Sequence, residues 1–129
     1  MVGASLVIAD ASPLIALSLI DRLALLPGLF GSVHVVSAVC QEVLTGHFST
    51  SEQTLARAFD DGYLQQVSLG AEVLPAATRS LGTHWAQLDE GEAQSIAYAI
   101  SCETAPLLLM DERAGRHVCQ SLGLPVMGT

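Results

Sequence analysis

The sequence contains no lysine, and apart from four histidines its only basic side chains are five arginines among 129 residues. Without lysine the chain cannot form a Walker P-loop, a Schiff base or a lysine-dependent phosphoryl receiver. The formal net charge is −8, which disfavours a broad electrostatic grip on nucleic acid. A chain of this composition that acted on nucleic acid would need metal ions to supply positive charge.

Cysteine is scarce as well. Cys40, Cys102 and Cys119 are odd in number and have no C-x-x-C spacing, which indicates core thiols in a reducing compartment rather than a zinc site or a disulfide framework. The apolar amino terminus lacks a basic segment and is interrupted by three charged residues before position 23. We therefore predict no signal peptide and no membrane span, and expect a cytoplasmic protein.

Aromatic residues make up only 5% of the chain, whereas half of all residues are hydrophobic. The core should therefore consist mainly of Leu, Val, Ile and Ala. A chain of this length buries roughly two-thirds of its unfolded surface. These properties predict one compact domain over residues 1–129.

Two short apolar runs each end in an aspartate. LVIA precedes Asp10 and PLLLM precedes Asp111, and both runs are typical of buried strands. Further strands are predicted at 33–36, at 63–69 on a sheet edge, and at 125–127. Alternation with helices predicts an α/β fold with a parallel sheet of four to five strands, covered by helices on both faces. Asp10 and Asp111 should then share the carboxyl edge of the sheet, where ligands bind.

The helices should lie between these strands. Ser12 is predicted as the N-cap of the first helix, with Pro13 in its first turn, and Ser37 as the N-cap of a later one. Asp89 is predicted to cap the clearest helix, which has one apolar face. The predicted helical ranges are 13–20, 21–31, 37–46, 52–59, 75–81, 88–101 and 112–122.

Two further acids could join the pair at the sheet edge. Glu42 lies within an otherwise apolar helix, and Glu92 lies in the first turn of the helix that follows residue 88. Two unit charges 4 Å apart repel by about 4 kcal/mol at an effective dielectric near 20, so clustered carboxylates must take up protons, pair with arginines or bind a cation. An all-oxygen cluster suits magnesium or manganese, which in such sites promote in-line hydrolysis of phosphodiesters.

Five segments in order, VIADASPLIAL, VVSAVCQEVL, LDEGEAQSIAYA, LLLMDERAGR and LGLPVMGT, resemble the PIN-domain ribonucleases, specifically the branch related to VapC-type toxins. The resemblance runs from about residue 5 to the end and leaves residues 47–87 without a motif. It implies a single PIN-like domain that hydrolyses RNA with magnesium or manganese, as the toxin of a toxin–antitoxin system. It also implies a cognate antitoxin that inhibits the protein, and a homo-oligomer.

The resemblance carries specific residues with it. Ser12 matches a small hydroxyl residue near the first acid that can hydrogen-bond a metal-bound water or a phosphate, and Arg116 matches a basic position after the last acid. Gln94 stands where the family often has a second glutamate. Relatives usually continue into one or two helices beyond the end of this sequence, so we expect those C-terminal helices to be absent. The matched catalytic and metal-binding acids are Asp10, Glu42, Glu92 and Asp111.

Each acid also has a purely structural interpretation. Asp10 and Asp111 could cap the helices that follow them, and Glu42 could point into solvent. Asp89 and Glu92 have the spacing of a capping box, and either Asp89 or Glu90 could replace Glu92 at a metal.

The sequence also allows other roles for two arginines and other functions for the protein. Arg113 and Arg116 could attract phosphate or balance neighbouring acids. The main alternative function is a catalytically weak or inactive interaction module. A magnesium-dependent phosphatase is less well supported, because Ser12 stands where that chemistry requires a second aspartate.

Overall fold

The structure, a computed structural model, describes residues 5–44, 49–70, 79, 88–102 and 106–128. Within these ranges five strands alternate with six helices. The strands are β1 (Ser5–Ala9), β2 (Gly31–Val36), β3 (Gln65–Val67), β4 (Leu107–Leu109) and β5 (Val126–Met127). The helices are α1 (Ala11–Leu19), α2 (Leu25–Phe30), α3 (Ser37–Val43), α4 (Ser49–Asp60), α5 (Glu90–Ser101) and α6 (Arg113–Ser121). The helix predicted at 75–81 lies outside the described residues except for Arg79.

All five strands are parallel and lie in the order β3-β2-β1-β4-β5. The first strand is therefore central: Val7 pairs with Val33 on one side and with Leu107 on the other. β3 lies at an edge, as its polar sequence predicts. The predicted parallel sheet is thus confirmed, with five strands.

Helices cover both faces of this sheet. Along β1 the side chains alternate, so Val7 and Ala9 join one hydrophobic cluster and Ile8 joins the other. The first cluster contains residues of α1, α2, α3 and α4, and the second contains residues of α5 and α6. Burial on both faces is the reason that β1 and β4 are continuous apolar runs rather than alternating ones.

Two predicted helix starts are wrong by one or two residues. Ser12 is the second residue of α1, and the N-cap is Asp10, whose side chain makes no capping hydrogen bond within the described residues. Ser37 is the first residue of α3, and its hydroxyl instead donates to the Val67 carbonyl oxygen at 3.2 Å. β2 passes directly into α3, and only Asp10 separates β1 from α1. The N-cap is therefore the residue that joins the strand to the helix, Asp10 for α1 and Val36 for α3, whether or not its side chain can cap.

The end of α2 also differs from its prediction. The sequence predicts that Pro27, Gly28 and Gly31 close this helix, because proline and glycine interrupt helices. Pro27 and Gly28 instead lie inside it, and the helix ends at Gly31, which has φ +87°. Proline is tolerated in the first turn because its missing N–H has no intrahelical partner there. Of the predicted breakers, only the glycine that adopts positive φ ends the helix.

Candidate functional site

The sheet order creates a crevice at the end of β1. The chain passes from β1 to β2 on one side, whereas β4 lies on the other side, so the connections diverge between β1 and β4. Asp10 directly follows β1, and its N–H donates to the Leu109 carbonyl oxygen at 3.0 Å. Asp111 follows β4 by two residues. Both aspartates therefore lie at the point where open α/β sheets bind ligands.

Asp10 is buried, with only 4% of its surface exposed. The pKa of its carboxyl group is raised to about 7, mainly by burial and in part by the charges of Asp89, Glu92 and Glu42. The backbone N–H of Ala11 acts in the opposite direction. Without a cation, burial therefore favours the protonated form of Asp10 well above the pH at which an exposed aspartate ionises.

Glu92 takes part in the capping box that its spacing predicts. Its N–H donates to Asp89 Oδ1 at 2.7 Å, and the Asp89 N–H donates to Glu92 Oε1 at 3.1 Å. The second oxygen, Oε2, is buried and accepts no hydrogen bond from the described part of the chain. The capping and metal-binding interpretations are therefore compatible, because they use different oxygens of one carboxylate.

The surroundings of Glu92 disfavour its charge. Its side chain is 4% exposed, and burial is the main cause that raises its pKa, followed among the nearby charges by Asp89 and Glu112. The Gly115 backbone lies close enough to favour the ionised form, although it does not meet hydrogen-bond geometry with Oε2. A buried carboxylate oxygen that lacks a partner is a position where a ligand or cation would be stabilising.

Two glycines leave room for these carboxylates. A Cβ atom on Gly91 would lie 3.3 Å from Asp10 Oδ1 and 3.6 Å from Asp89 Oδ1. A Cβ atom on Gly115 would lie 2.7 Å from Glu92 Oε2. Side chains at these positions would crowd the acidic groups, so both glycines help to form the site.

Glu42 is exposed on α3, in agreement with the interpretation that it points into solvent. Its charge nevertheless affects the pKa of a buried acid. Partial burial raises its pKa, and the charge of Asp89 raises it further. Glu42 also raises the pKa of Asp10. The structure thus brings Asp10, Glu42 and Glu92 into one acidic region, together with Asp89.

Asp111 lies on the α6 side of the crevice. A Cβ atom on Gly128 would lie 3.0 Å from Asp111 Oδ1 and 3.2 Å from Arg116 Nη1. Asp111 and Arg116 therefore pack against the same glycine. Among the described residues, no three Asp, Glu, His or Cys side chains are grouped so that they could hold a metal ion as they stand.

The remaining predicted residues have distinct positions. Ser12 lies half-buried in the first turn of α1, two residues after Asp10. Gln94 accepts a hydrogen bond from the Ala38 N–H at 3.2 Å and donates to Glu90 Oε1 at 3.3 Å. Gln94, which stands where the family often has a glutamate, therefore has a structural role, because its side chain connects α5 to the start of α3 by a hydrogen bond.

The fold and the site together define a class: a small α/β domain with an acidic crevice at the switch point of a parallel sheet. A family model described as a PIN domain matches residues 6–129, and the chain belongs to that family. PIN domains are generally nucleases and typically bind a divalent metal. No curated protein matches the sequence. In the described part of the chain, no helix is both long and apolar enough to cross a membrane.

Proposed function

We propose that the protein is a magnesium- or manganese-dependent endoribonuclease of the VapC-related branch and acts as the toxin of a toxin–antitoxin pair. The buried Oε2 atom of Glu92 is the observation that carries the proposal, since it has no partner in the described residues and lies in the same acidic region as Asp10. A structural capping box alone would leave this oxygen unsatisfied at a cost of about 1–3 kcal/mol. A cation would satisfy it.

The residues present fit a hard cation. The donor set consists only of carboxylates, and Gly91 and Gly115 leave space beside them. Because no three described side chains form a ready site, the carboxylates would have to turn toward the ion. The ligands would be Asp10, Glu42, Glu92 and Asp111.

The chain's own residues suit phosphodiester hydrolysis. A bound cation would supply the positive charge that the phosphate requires and would promote attack by water. Asp10, with its pKa of about 7, would release its proton when the ion binds. The Ser12 hydroxyl, in the first turn of α1, would hydrogen-bond a phosphate, and Arg116 would add positive charge beside Asp111.

The test is cleavage of single-stranded RNA by purified protein with manganese. Asp10→Asn should lower the rate by at least about a hundredfold, since even residues that only support metal ligands contribute ten- to a hundredfold. Asp60→Asn is the matched control, because this exposed residue ends α4 shortly before the amino end of β3. Undiminished cleavage by Asp10→Asn would refute the assignment.

The interaction module remains the second candidate, and the lack of a ready three-ligand group among the described side chains favours it. The partners are proposals in either case: an antitoxin whose arginine-bearing segment occupies the acidic crevice in the cytoplasm, and a second copy of the chain. Calorimetry with manganese separates the two functions. Absence of binding, together with co-purification of a small protein encoded nearby, would favour the module.

A further inference from the structure

A pocket lies on the surface of α6 beside the acidic crevice. Its volume is about 550 Å³. Four of its lining residues occupy helix positions i, i+3, i+4 and i+7, which place them on one face of α6. The lining residues are Asp111, Arg113, Arg116, His117 and Gln120.

This pocket concentrates the scarce positive charge of the chain. Two of the five arginines line it, in a sequence without lysine and with a net charge of −8. Arginine presents a planar fork of donors that matches the oxygens of phosphate. His117 and Gln120 add ring and amide nitrogens on the same face. The lining therefore has the chemistry of a phosphate-binding site.

We propose that this pocket binds a backbone phosphate of single-stranded RNA, one that flanks the phosphodiester placed at the acidic crevice. The inference rests on the proposed ribonuclease function and adds where the substrate strand lies. Asp111 connects the pocket and the crevice, since it lines the pocket and follows β4 by two residues at the carboxyl edge of the sheet.

Arg116 is held at the boundary between them. Its Nη1 atom packs against Gly128, as does Asp111 Oδ1, so its charge lies next to the residue shared by the pocket and the crevice. Arg113 is exposed at the first position of α6. The amino end of a helix carries partial positive charge, which supports an anion there.

An acidic protein segment is a poorer occupant than RNA. Such a segment, extended from the pocket into the crevice, would bring its carboxylates toward Asp10, Glu42 and Glu92, of which Glu42 and Glu92 already raise the pKa of Asp10. RNA carries comparable charge, but its scissile phosphate would meet a cation at the crevice. A single RNA strand can therefore bind at the acidic crevice and in the α6 pocket at the same time.

The experiment measures the affinity of a fluorescent single-stranded RNA by anisotropy, with calcium in place of manganese and over a range of salt concentrations. Arg113→Gln should weaken binding about tenfold and reduce the salt slope by about 0.7, the value for one lost phosphate contact on a single strand. Arg113→Lys, which keeps the charge, should recover part of the affinity.

Arg22→Gln is the matched control, because it removes the same charge from an exposed position after α1, which runs back from the carboxyl edge of the sheet. Its affinity and salt slope should match those of the wild type. Equal losses in Arg22→Gln and Arg113→Gln, no loss in Arg113→Gln, or no RNA binding by the wild type would each overturn the proposal. Displacement of RNA by an acidic peptide of equal charge at equal concentration would also overturn it.

Cleavage with manganese, measured separately, distinguishes this inference from the proposed function. RNA binding that depends on Arg113 without any cleavage would support the pocket and refute hydrolysis. Cleavage with affinity that is independent of Arg113 would refute the pocket and leave hydrolysis in place.

Discussion

The carboxyl group of Asp10 makes the stability of the metal-free protein depend on pH. Its pKa is raised from 3.8 to about 7 by folding, so between these values the folded state binds more protons than the unfolded state. Stability contributed by the protonated group is complete below pH 4 and falls as the pH rises through 7. The loss is on the order of 4 kcal/mol at 1.36 kcal/mol per pH unit.

We therefore expect the free energy of unfolding, measured in urea with EDTA, to be lower at pH 8 than at pH 5. Asp10→Asn should remove most of this difference and should be more stable than the wild type at pH 8. A smaller slope of the same sign should remain, because the pKa of Glu92 is raised as well. An unchanged slope in Asp10→Asn would show that Asp10 is not the titrating group.

Gly115 matters because its lack of a side chain leaves room for the side chains of Glu92 and Met110. Gly115→Ala would bring Cβ to 2.7 Å from Glu92 Oε2 and 3.0 Å from Met110 Sδ, so we expect a loss of about 1–3 kcal/mol in unfolding free energy from overpacking. Denaturant unfolding measures it. Gly28→Ala is the control, since no described atom lies within 4 Å of its Cβ and alanine should stabilise α2 by roughly 0.5–1 kcal/mol.

At the level of the helix, Asp89 has two roles that substitution can separate. Asp89→Asn keeps a side-chain oxygen for the Glu92 N–H but removes the charge that, among nearby charges, contributes most to the raised pKa of Asp10. We expect a lower pKa for Asp10, measured by NMR titration, with α5 preserved. Asp89→Ala should also lose the cap, at a cost of about 1 kcal/mol. An Asp10 pKa that does not move in Asp89→Asn would contradict this account.

The central strands could be predicted from the sequence because a strand buried on both faces is a continuous apolar run. The runs that end at Asp10 and Asp111 are examples. The helix starts at Ser12 and Ser37 could not, because the N-cap depends on how abruptly the strand turns into the helix. Good capping residues lie one or two places too late in both segments.

The acidic site was predictable only in part, for a related reason. The sequence predicts Asp89 as a capping residue, with a place at the metal only as a substitute for Glu92. Its proximity to Asp10 follows from the packing of α5 against β1 and α3. The spaces beside Gly91 and Gly115 arise from contacts between distant segments, which no local pattern records. The only sequence signal for this part of the site was the segment LDEGEAQSIAYA, which contains Gly91 and Glu92.

Across the whole molecule, the excess of negative charge couples metal binding to folding. A ligand that binds only the folded state adds about 2.7 kcal/mol of stability at a hundred times its dissociation constant. Manganese should therefore raise the melting temperature of the wild type, and the increase should be largest above pH 7, where Asp10 is ionised. Scanning calorimetry measures the shift, and Asp10→Asn should show much less of it. An equal increase in melting temperature in both proteins would show that manganese binds at a site without Asp10.

The central position of β1 also fixes when the acidic crevice can form during synthesis. Val7 pairs with Leu107 and Ala9 with Leu109, so the amino-terminal strand must wait for a partner that the ribosome makes some hundred residues later. At about 5–20 residues per second, this delay lasts roughly 5–20 seconds. A nascent chain that has not yet reached β4 carries Asp10 without Asp111 and without the strand that pairs with β1 on that side. For a chain that cuts RNA, this order of assembly would protect the message that encodes it while it is being read.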